Sequence, residues 1–172
     1  MTTRLTVAQL NELLAGFYPM RCWRFARYLG SMLMLDFGDQ LNVKTHDSTT
    51  VAEGGLKIGI RNVLWVAIDG ERAITTAEEV DDAVFANDLE RRPIGAALEL
   101  IESTADGRWI VFRFDNGFAL KVDAANTWTT ESDIFEITLP DGRIVVLDDE
   151  GAMEVLDEIE PIRAERWRAR LS

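Results

Sequence analysis

The sequence WIVFRFDNGFALKV, residues 109–122, decides the fold class. From Ile110 to Phe114 an apolar residue occupies every second position, which is the period of a β-strand with one buried face. The DNG sequence at 115–117 supplies residues that favour tight turns, and the alternation resumes at 120–122. This stretch therefore predicts an antiparallel β-hairpin.

The same alternation occurs elsewhere in the chain and predicts an internal duplication. Residues 33–37 alternate in the same way, and a Gly38-Asp39 turn would then return the chain as a second strand. Three segments match later ones in order: 33–37 with 110–114, 41–43 with 120–122, and 56–60 with 135–139. Because the register is nearly constant through successive strands, we predict two repeat units, at approximately 20–92 and 93–160.

Two such units can cover each other's apolar faces. We therefore predict a single domain over residues 1–172 with an α+β, β-rich fold: an internally duplicated antiparallel β unit with peripheral helices. Both a sandwich and a pseudo-twofold pair of half-barrels satisfy the pattern. Within the first unit, the strand at 56–60 is expected to pair with the apolar run 63–68 through a turn at Arg61-Asn62, after a polar loop at 45–55.

Helices are predicted at three places. The N-terminal helix, 6–17, begins with a Thr6–Gln9 capping box, in which each side chain bonds an unpaired backbone N–H. A second helix is predicted at 77–91, with a similar Thr76–Glu79 box, and a short acidic helix at 151–159. The tail, 161–172, is rich in arginine.

The charge balance restricts the partners. The formal net charge is −12, from 30 acidic and 18 basic residues, and such a chain repels phosphate backbones and anionic lipid heads. We therefore expect no nucleic acid and no membrane partner, whereas a basic protein partner is compatible. The N-terminus lacks the pattern of a signal peptide, so we expect a cytoplasmic protein. The single cysteine, Cys22, suits a reducing compartment and is expected to be a buried thiol.

The sequence contains no recognisable catalytic motif. Nucleophile elbows, phosphate-binding loops and dinucleotide-binding loops are absent, and one histidine, His46, with one cysteine gives no metal-ligand spacing. We therefore predict no catalytic residue, no metal and no cofactor. The only abundant catalytic material is carboxylate pairs, at Asp36 and Asp39, at Asp81 and Asp82, and at 148–150.

Candidate partner contacts come from exposed aromatic and acidic residues. Trp128 lies in a polar stretch, where it would either anchor a partner or fold back over the sheet edge. Asp148, Asp149 and Glu150 form an acidic group at the end of a predicted strand. Trp167, in the arginine-rich tail, would dock on a second copy if the protein is a homodimer, while the tail arginines could equally pair with the chain's own acidic surface.

The run from Asp106 to Val122, with the strand at 135–137 and its Asp-Gly turn, resembles the hairpin repeats of small uncharacterised bacterial proteins, some of which act as immunity proteins beside toxin genes. The resemblance covers the second half of the chain and reaches the first half only through the repeat. It implies a binding role and transfers no functional residue.

Two functions remain open from the sequence. The first is a non-enzymatic interaction protein that binds a protein partner through an acidic surface, of the immunity type. The second is a small-molecule or carbohydrate-acting domain that uses paired carboxylates.

Overall fold

The computed structural model describes residues 3–17, 19–44, 48–61, 63–127, 134–147 and 152–159. Its elements, in chain order, are β1 (Thr3–Leu5), α1 (Val7–Ala15), β2 (Cys22–Arg27), β3 (Leu33–Lys44), β4 (Thr50–Ile60), β5 (Val63–Asp69), β6 (Arg72–Thr76), α2 (Asp82–Val84) with a π-helix (Phe85–Leu89), β7 (Leu98–Ser103), β8 (Trp109–Phe114), β9 (Phe118–Thr127), β10 (Phe135–Thr138), β11 (Arg143–Leu147) and β12 (Met153–Ile159).

The strands form two antiparallel sheets, as the β-rich α+β prediction requires. The larger sheet has seven strands in the order β1-β12-β11-β10-β4-β3-β2, and the smaller has five in the order β6-β5-β9-β8-β7. The predicted hairpin at 109–122 is confirmed as β8 and β9. The strand at 135–137 belongs to β10, which forms a second hairpin with β11 through the Asp-Gly turn that follows it.

One hydrophobic core lies between the two sheets. Alternate residues of β3, β4 and β10 face alternate residues of β5, β8 and β9, and all are buried. Aromatic rings join the layers: Phe37 stacks on Phe114 at a centroid distance of 6.1 Å, and Phe112 meets Phe135 edge-on at 5.4 Å. Such ring pairs stabilise a core beyond the area they bury. The architecture is therefore a two-layer sandwich.

Helix α1 docks on strand β7. Its Thr6–Gln9 capping box is present as predicted. Asn11 makes two hydrogen bonds with the backbone of Ile101: its Nδ2 donates to the carbonyl oxygen at 2.6 Å, and its Oδ1 accepts from the N–H at 2.9 Å. Leu10 and Leu14 are fully buried, so the helix is held by both packing and polar contacts.

The predicted turn at Gly38-Asp39 is wrong. Residues 33–44 form a single strand, β3, with a bulge between Phe37 and Gln40. Gly38 has a φ of +70°, a value typical of the first residue of a glycine bulge. The predicted loop at 45–55 is also shorter, because β4 begins at Thr50, whereas residues 45–47, including His46, lie outside the described residues.

The predicted pairing of 56–60 with 63–68 is wrong as well. Strand β4 pairs with β3 and β10 in the larger sheet, whereas β5 pairs with β6 and β9 in the smaller one. The chain therefore passes from the larger sheet to the smaller one between β4 and β5. Each half of the sequence contributes strands to both sheets, and the duplication itself stays a prediction.

Two predicted helices differ from the structure. Residues 77–91 contain only the short α2 and the π-helix, and Asp81, rather than Thr76, provides the N-cap. Thr76 ends strand β6 instead. Residues 153–159 of the predicted helix at 151–159 form β12, because that segment pairs with β11 and β1 in the larger sheet.

Candidate partner-binding surface

The predicted partner contacts lie outside the described residues. Trp128, Asp148, Asp149, Glu150 and Trp167 fall in segments whose placement is not described, so their roles stay predictions. The surface that follows is built from other residues.

Cys22 is buried, as predicted from its sequence context. Burial, together with the nearby charge of Asp36, raises the pKa of its thiol to about 12. The thiol donates a hydrogen bond to Arg24 O at 3.3 Å. A thiol held protonated in this way is a poor nucleophile, because the thiolate is the reactive form.

The first predicted carboxylate pair serves the fold. Asp36 is fully buried, and its two oxygens accept from Arg24 Nε at 2.7 Å and from the backbone N–H of Gly54 at 2.6 Å. Asp39 lies in the bulge, three positions further along the same strand. Both oxygens of Asp36 are thus committed to tying β2 and β4 to β3.

The second predicted pair, Asp81 and Asp82, also has local partners. Asp81 Oδ1 accepts from the backbone N–H of Val84 at 2.8 Å, which caps α2. Asp82 forms an ion pair with Arg27 at the end of β2.

Residues 77–90 form an exposed acidic segment. They contain no basic residue, and the buried residues Val80, Phe85 and Leu89 fix them to the core. Phe85 packs against Phe25 of β2 at a centroid distance of 5.2 Å. All six of the segment's carboxylates are exposed: Glu78, Glu79, Asp81, Asp82, Asp88 and Glu90.

Four of these six carboxylates are unpaired. Within the described part of the chain, the side chains of Glu78, Glu79, Asp88 and Glu90 form no ion pair and accept no hydrogen bond. Like charges on one short segment repel one another and attract cations.

The loop between β2 and β3 carries two exposed apolar side chains. Leu29 is 89% exposed and Tyr28 is 49% exposed. The loop is nevertheless well held, because the N–H of Tyr28 donates to Met32 O at 2.8 Å and Trp65 Nε1 donates to Ser31 O at 2.6 Å. Turn residues are normally polar, so this apolar pair is unusual for its position.

A small apolar groove runs beside this loop. We call it the tip groove. Its volume is about 250 Å³, and it is lined by Tyr28, Leu29, Met32, Leu33, Met34 and Arg61. Arg61 lines it while its Nη2 donates to Glu136 at 3.4 Å, so the charge is directed to a carboxylate.

Arg27, at the end of β2, contacts the acidic segment. It directly precedes Tyr28, forms the ion pair with Asp82, and donates from Nη2 to Val80 O at 3.4 Å. These two contacts hold the end of β2 against the acidic segment.

Two further cavities are present. One, of about 340 Å³, is lined by Asp69, Arg72, Ile74, Asp88 and Arg92, and the ion pair between Arg92 and Asp69 crosses it. The other, of about 510 Å³, lies between α1 and the ends of β9, β11 and β12. Neither brings together a nucleophile and a base.

Within the described ranges, no three carboxylate, cysteine or histidine side chains are placed to hold a metal ion. No helix in that part of the chain has the length and apolar character needed to cross a bilayer. Comparisons with protein-family models, with curated proteins and with solved structures found no match for this chain.

The sequence gives only a weak signal for the tip groove. The signal is the pair Tyr28-Leu29 directly before Gly30 and Ser31, where a turn between strands would ordinarily be polar. The sequence predicts the acidic segment as part of a longer helix. It does not indicate that part of the segment's backbone, at Asp81, is extended.

Proposed function

We propose that this chain is a non-enzymatic interaction protein that binds a basic protein partner through the acidic segment, in the manner of an immunity protein. The observation that carries the proposal is the set of unpaired, exposed carboxylates at residues 77–90 on a backbone fixed by buried Val80, Phe85 and Leu89. A preformed charged surface loses little conformational entropy on binding.

The net charge of −12 supports the same function. A strongly negative protein attracts a basic partner over distances of about a Debye length, roughly 8–10 Å at physiological salt, and so raises the association rate. The same field repels nucleic acids, whose phosphate backbones are also negative. An acidic protein can therefore compete for such a surface.

The carboxylate-pair alternative has less support. Asp36 is fully buried and bonded through both oxygens, and Asp81 caps a helix. Catalytic pairs need two carboxylates facing one substrate at a set separation. Neither of these residues is available for that geometry.

The test is affinity capture from host lysate with matched charge variants. Wild type is compared with the double variant Glu78→Lys/Glu79→Lys and with a control, Glu12→Lys/Glu99→Lys, whose sites are exposed on α1 and β7. Both variants change the net charge equally. We expect one stoichiometric basic protein with wild type and control, released by moderate salt, and at least tenfold less with the segment variant.

Equal capture by all three proteins would contradict the proposal, because the location of the charge would then not matter. Failure of wild type to retain any basic protein would contradict it as well.

A further inference from the structure

We infer that the 340 Å³ cavity binds a small dipolar molecule, one that carries both a carboxylate and an ammonium group, as a free amino acid does. The cavity lies where the β5–β6 hairpin meets the π-helix and the residue Arg92 that follows it. This inference goes beyond the proposed function and does not rest on it, because the capture experiment changes Glu78 and Glu79, which do not line the cavity. The residues that line it are Asp69, Arg72, Ile74, Asp88 and Arg92.

Arg92 fixes one wall of the cavity. Its Nε donates to Asp88 O at 3.0 Å, and its Nη1 forms the ion pair with Asp69. Its carbonyl oxygen accepts from Asn116 Nδ2 at 2.7 Å, which ties it to the turn between β8 and β9. A preformed cavity loses little conformational entropy when it binds a ligand.

The cavity contains one unpaired cation and one unpaired anion. Within the described part of the chain, the guanidinium of Arg72 and the carboxylate of Asp88 form no ion pair and no hydrogen bond. They do not pair with each other, although both line the cavity. Arg92 and Asp69, by contrast, neutralise one another. The two unpaired groups are therefore separated, and a molecule with two opposite charges can satisfy both at once.

This mixture of charges disfavours ligands of a single sign. A simple anion would be attracted by Arg72 but would also meet the carboxylates of Asp69 and Asp88. A simple cation would in turn meet the guanidinium groups of Arg72 and Arg92. A ligand whose carboxylate binds Arg72 and whose ammonium group binds Asp88 makes a charge-assisted hydrogen bond at each end.

The size and setting of the cavity agree with a small molecule. At about 340 Å³ it lies at the lower end of the roughly 300–1,000 Å³ range of pockets that enclose whole ligands. Ile74, partly buried against the core, gives it one apolar wall, which suits an aliphatic side chain. Asp88 belongs to the π-helix, a rare element that is frequent at functional sites.

The experiment uses isoleucine-methyl NMR on the full chain. Ile74 lines the cavity and reports binding, whereas Ile110 lines the 510 Å³ cavity and serves as an internal control. The probes are leucine, leucinamide and N-acetylleucine. All three share one side chain, but leucinamide lacks the carboxylate and N-acetylleucine lacks the ammonium group.

We expect leucine to shift the methyl resonance of Ile74 until the site is saturated and to leave that of Ile110 in place. Leucinamide and N-acetylleucine should each bind about tenfold more weakly, because each has lost one charge-assisted hydrogen bond.

Two pairs of variants test which residue binds which charge. Asp88→Asn should weaken leucine binding by about tenfold without weakening that of N-acetylleucine, and Arg72→Gln should do the same without weakening that of leucinamide. The matched controls are Glu90→Gln and Arg91→Gln, at exposed sites in the same stretch of chain, and they should change neither. The side chains of Asp88 and Arg72 are exposed, so we expect these variants to fold as wild type does.

Three results overturn the inference. The first is the absence of a saturable shift at Ile74 with millimolar leucine. The second is equal binding of leucine and either blocked probe, since one of the two charges would then not be recognised. The third is wild-type affinity for leucine in Asp88→Asn or in Arg72→Gln. Each of these results leaves the proposed function to be decided by the capture experiment.

Discussion

Strand β3 and the β8–β9 hairpin have similar apolar alternation, yet they fold differently. Strand β3 runs straight through a bulge at Gly38, whereas the chain reverses between β8 and β9 at Gly117. Both glycines have a positive φ, +70° and +87°. A left-handed glycine therefore permits a bulge and a turn alike, and the choice is made by the partners around it.

At the β8–β9 turn, the bonds are local. The N–H of Gly117 donates to Phe114 O at 3.1 Å, and Asn116 Oδ1 accepts from the N–H of Phe118 at 3.1 Å. At the bulge, the bonds reach other strands. The N–H of Gly38 donates to Arg21 O at 3.0 Å, and the neighbouring Asp36 binds Gly54 of β4. Partners on both sides keep β3 extended.

Replacing Gly54, which packs closely against β3, should lower the free energy of unfolding the most. A Cβ at Gly54 would lie 2.6 Å from Leu56 O and would also meet the backbone of Phe37, neither of which can yield without moving a strand. We expect Gly54→Ala to lower the free energy of unfolding by about 3 kcal/mol in urea denaturation. The control is Gly55→Ala, where the nearest atom is 3.7 Å away and a change below about 1 kcal/mol is expected. Equal losses in the two variants would contradict the close-approach explanation.

Removing the charge of Asp36 should be the next largest effect. In Asp36→Asn one charge-assisted acceptor is lost, and either Arg24 or the N–H of Gly54 is left with a weaker bond. We expect a loss of about 2 kcal/mol by urea denaturation. Glu99→Gln, at an exposed site, should change stability by less than about 0.5 kcal/mol. A stability equal to wild type would show that Asp36 does not hold β3 against β4.

Replacing the turn glycine, Gly117, should lower the free energy of unfolding by less. At a φ of +87°, Gly117→Ala forces a left-handed alanine, and we expect a loss of about 1–2 kcal/mol in thermal or urea unfolding. Nothing lies within 4 Å of a Cβ at this position, so the cost is conformational rather than steric. Gly117→Asn should recover part of the loss, because asparagine tolerates this conformation better. If the two variants are equally unstable, steric crowding rather than φ is responsible.

The turn between β7 and β8, like the turn between β8 and β9, is held by local hydrogen bonds, and changing one of them should have the smallest effect. The hydroxyl of Thr104 donates to Asp106 Oδ1 at 2.6 Å and, with the N–H of Arg108, holds the pKa of that carboxyl below its ordinary value. At a pH above the ordinary pKa of an aspartate, the ionised Asp106 therefore stabilises the turn. This contribution is lost as the pH falls through the lowered pKa. Thr104→Val should raise the pKa of Asp106 in an NMR carboxyl titration. Ser103→Ala, whose hydroxyl bonds elsewhere, should leave it unchanged.

Local signals predicted the elements that depend on nearby residues. The DNG turn at 115–117 and the PDG turn at 140–142 give hairpins, and the Thr6–Gln9 box begins α1. In each of these elements the decisive hydrogen bonds join residues a few positions apart, so the sequence window contains them.

Features set by distant partners were not predictable in this way. Strand β12 has three acidic and three branched apolar residues, a pattern compatible with helix or strand, and its pairing with β11 and β1 decides the outcome. The sheet change between β4 and β5 depends on β9 and β10, far along the chain. The ion pair between Arg27 and Asp82 likewise joins residues far apart in the chain, and sequence spacing does not encode that contact.

The bidentate contact of Asn11 with Ile101 has a further consequence for how copies of this protein meet. Strand β7 is the last strand of its sheet, and the Asn11 amide occupies both backbone positions of Ile101 that an incoming strand would use. The Asn11 side chain thus takes the place of one residue of an added strand, and it hinders pairing with a strand of a neighbouring molecule at this edge. At this edge, a neighbouring molecule would have to displace the Asn11 amide before its own strand could pair with Ile101.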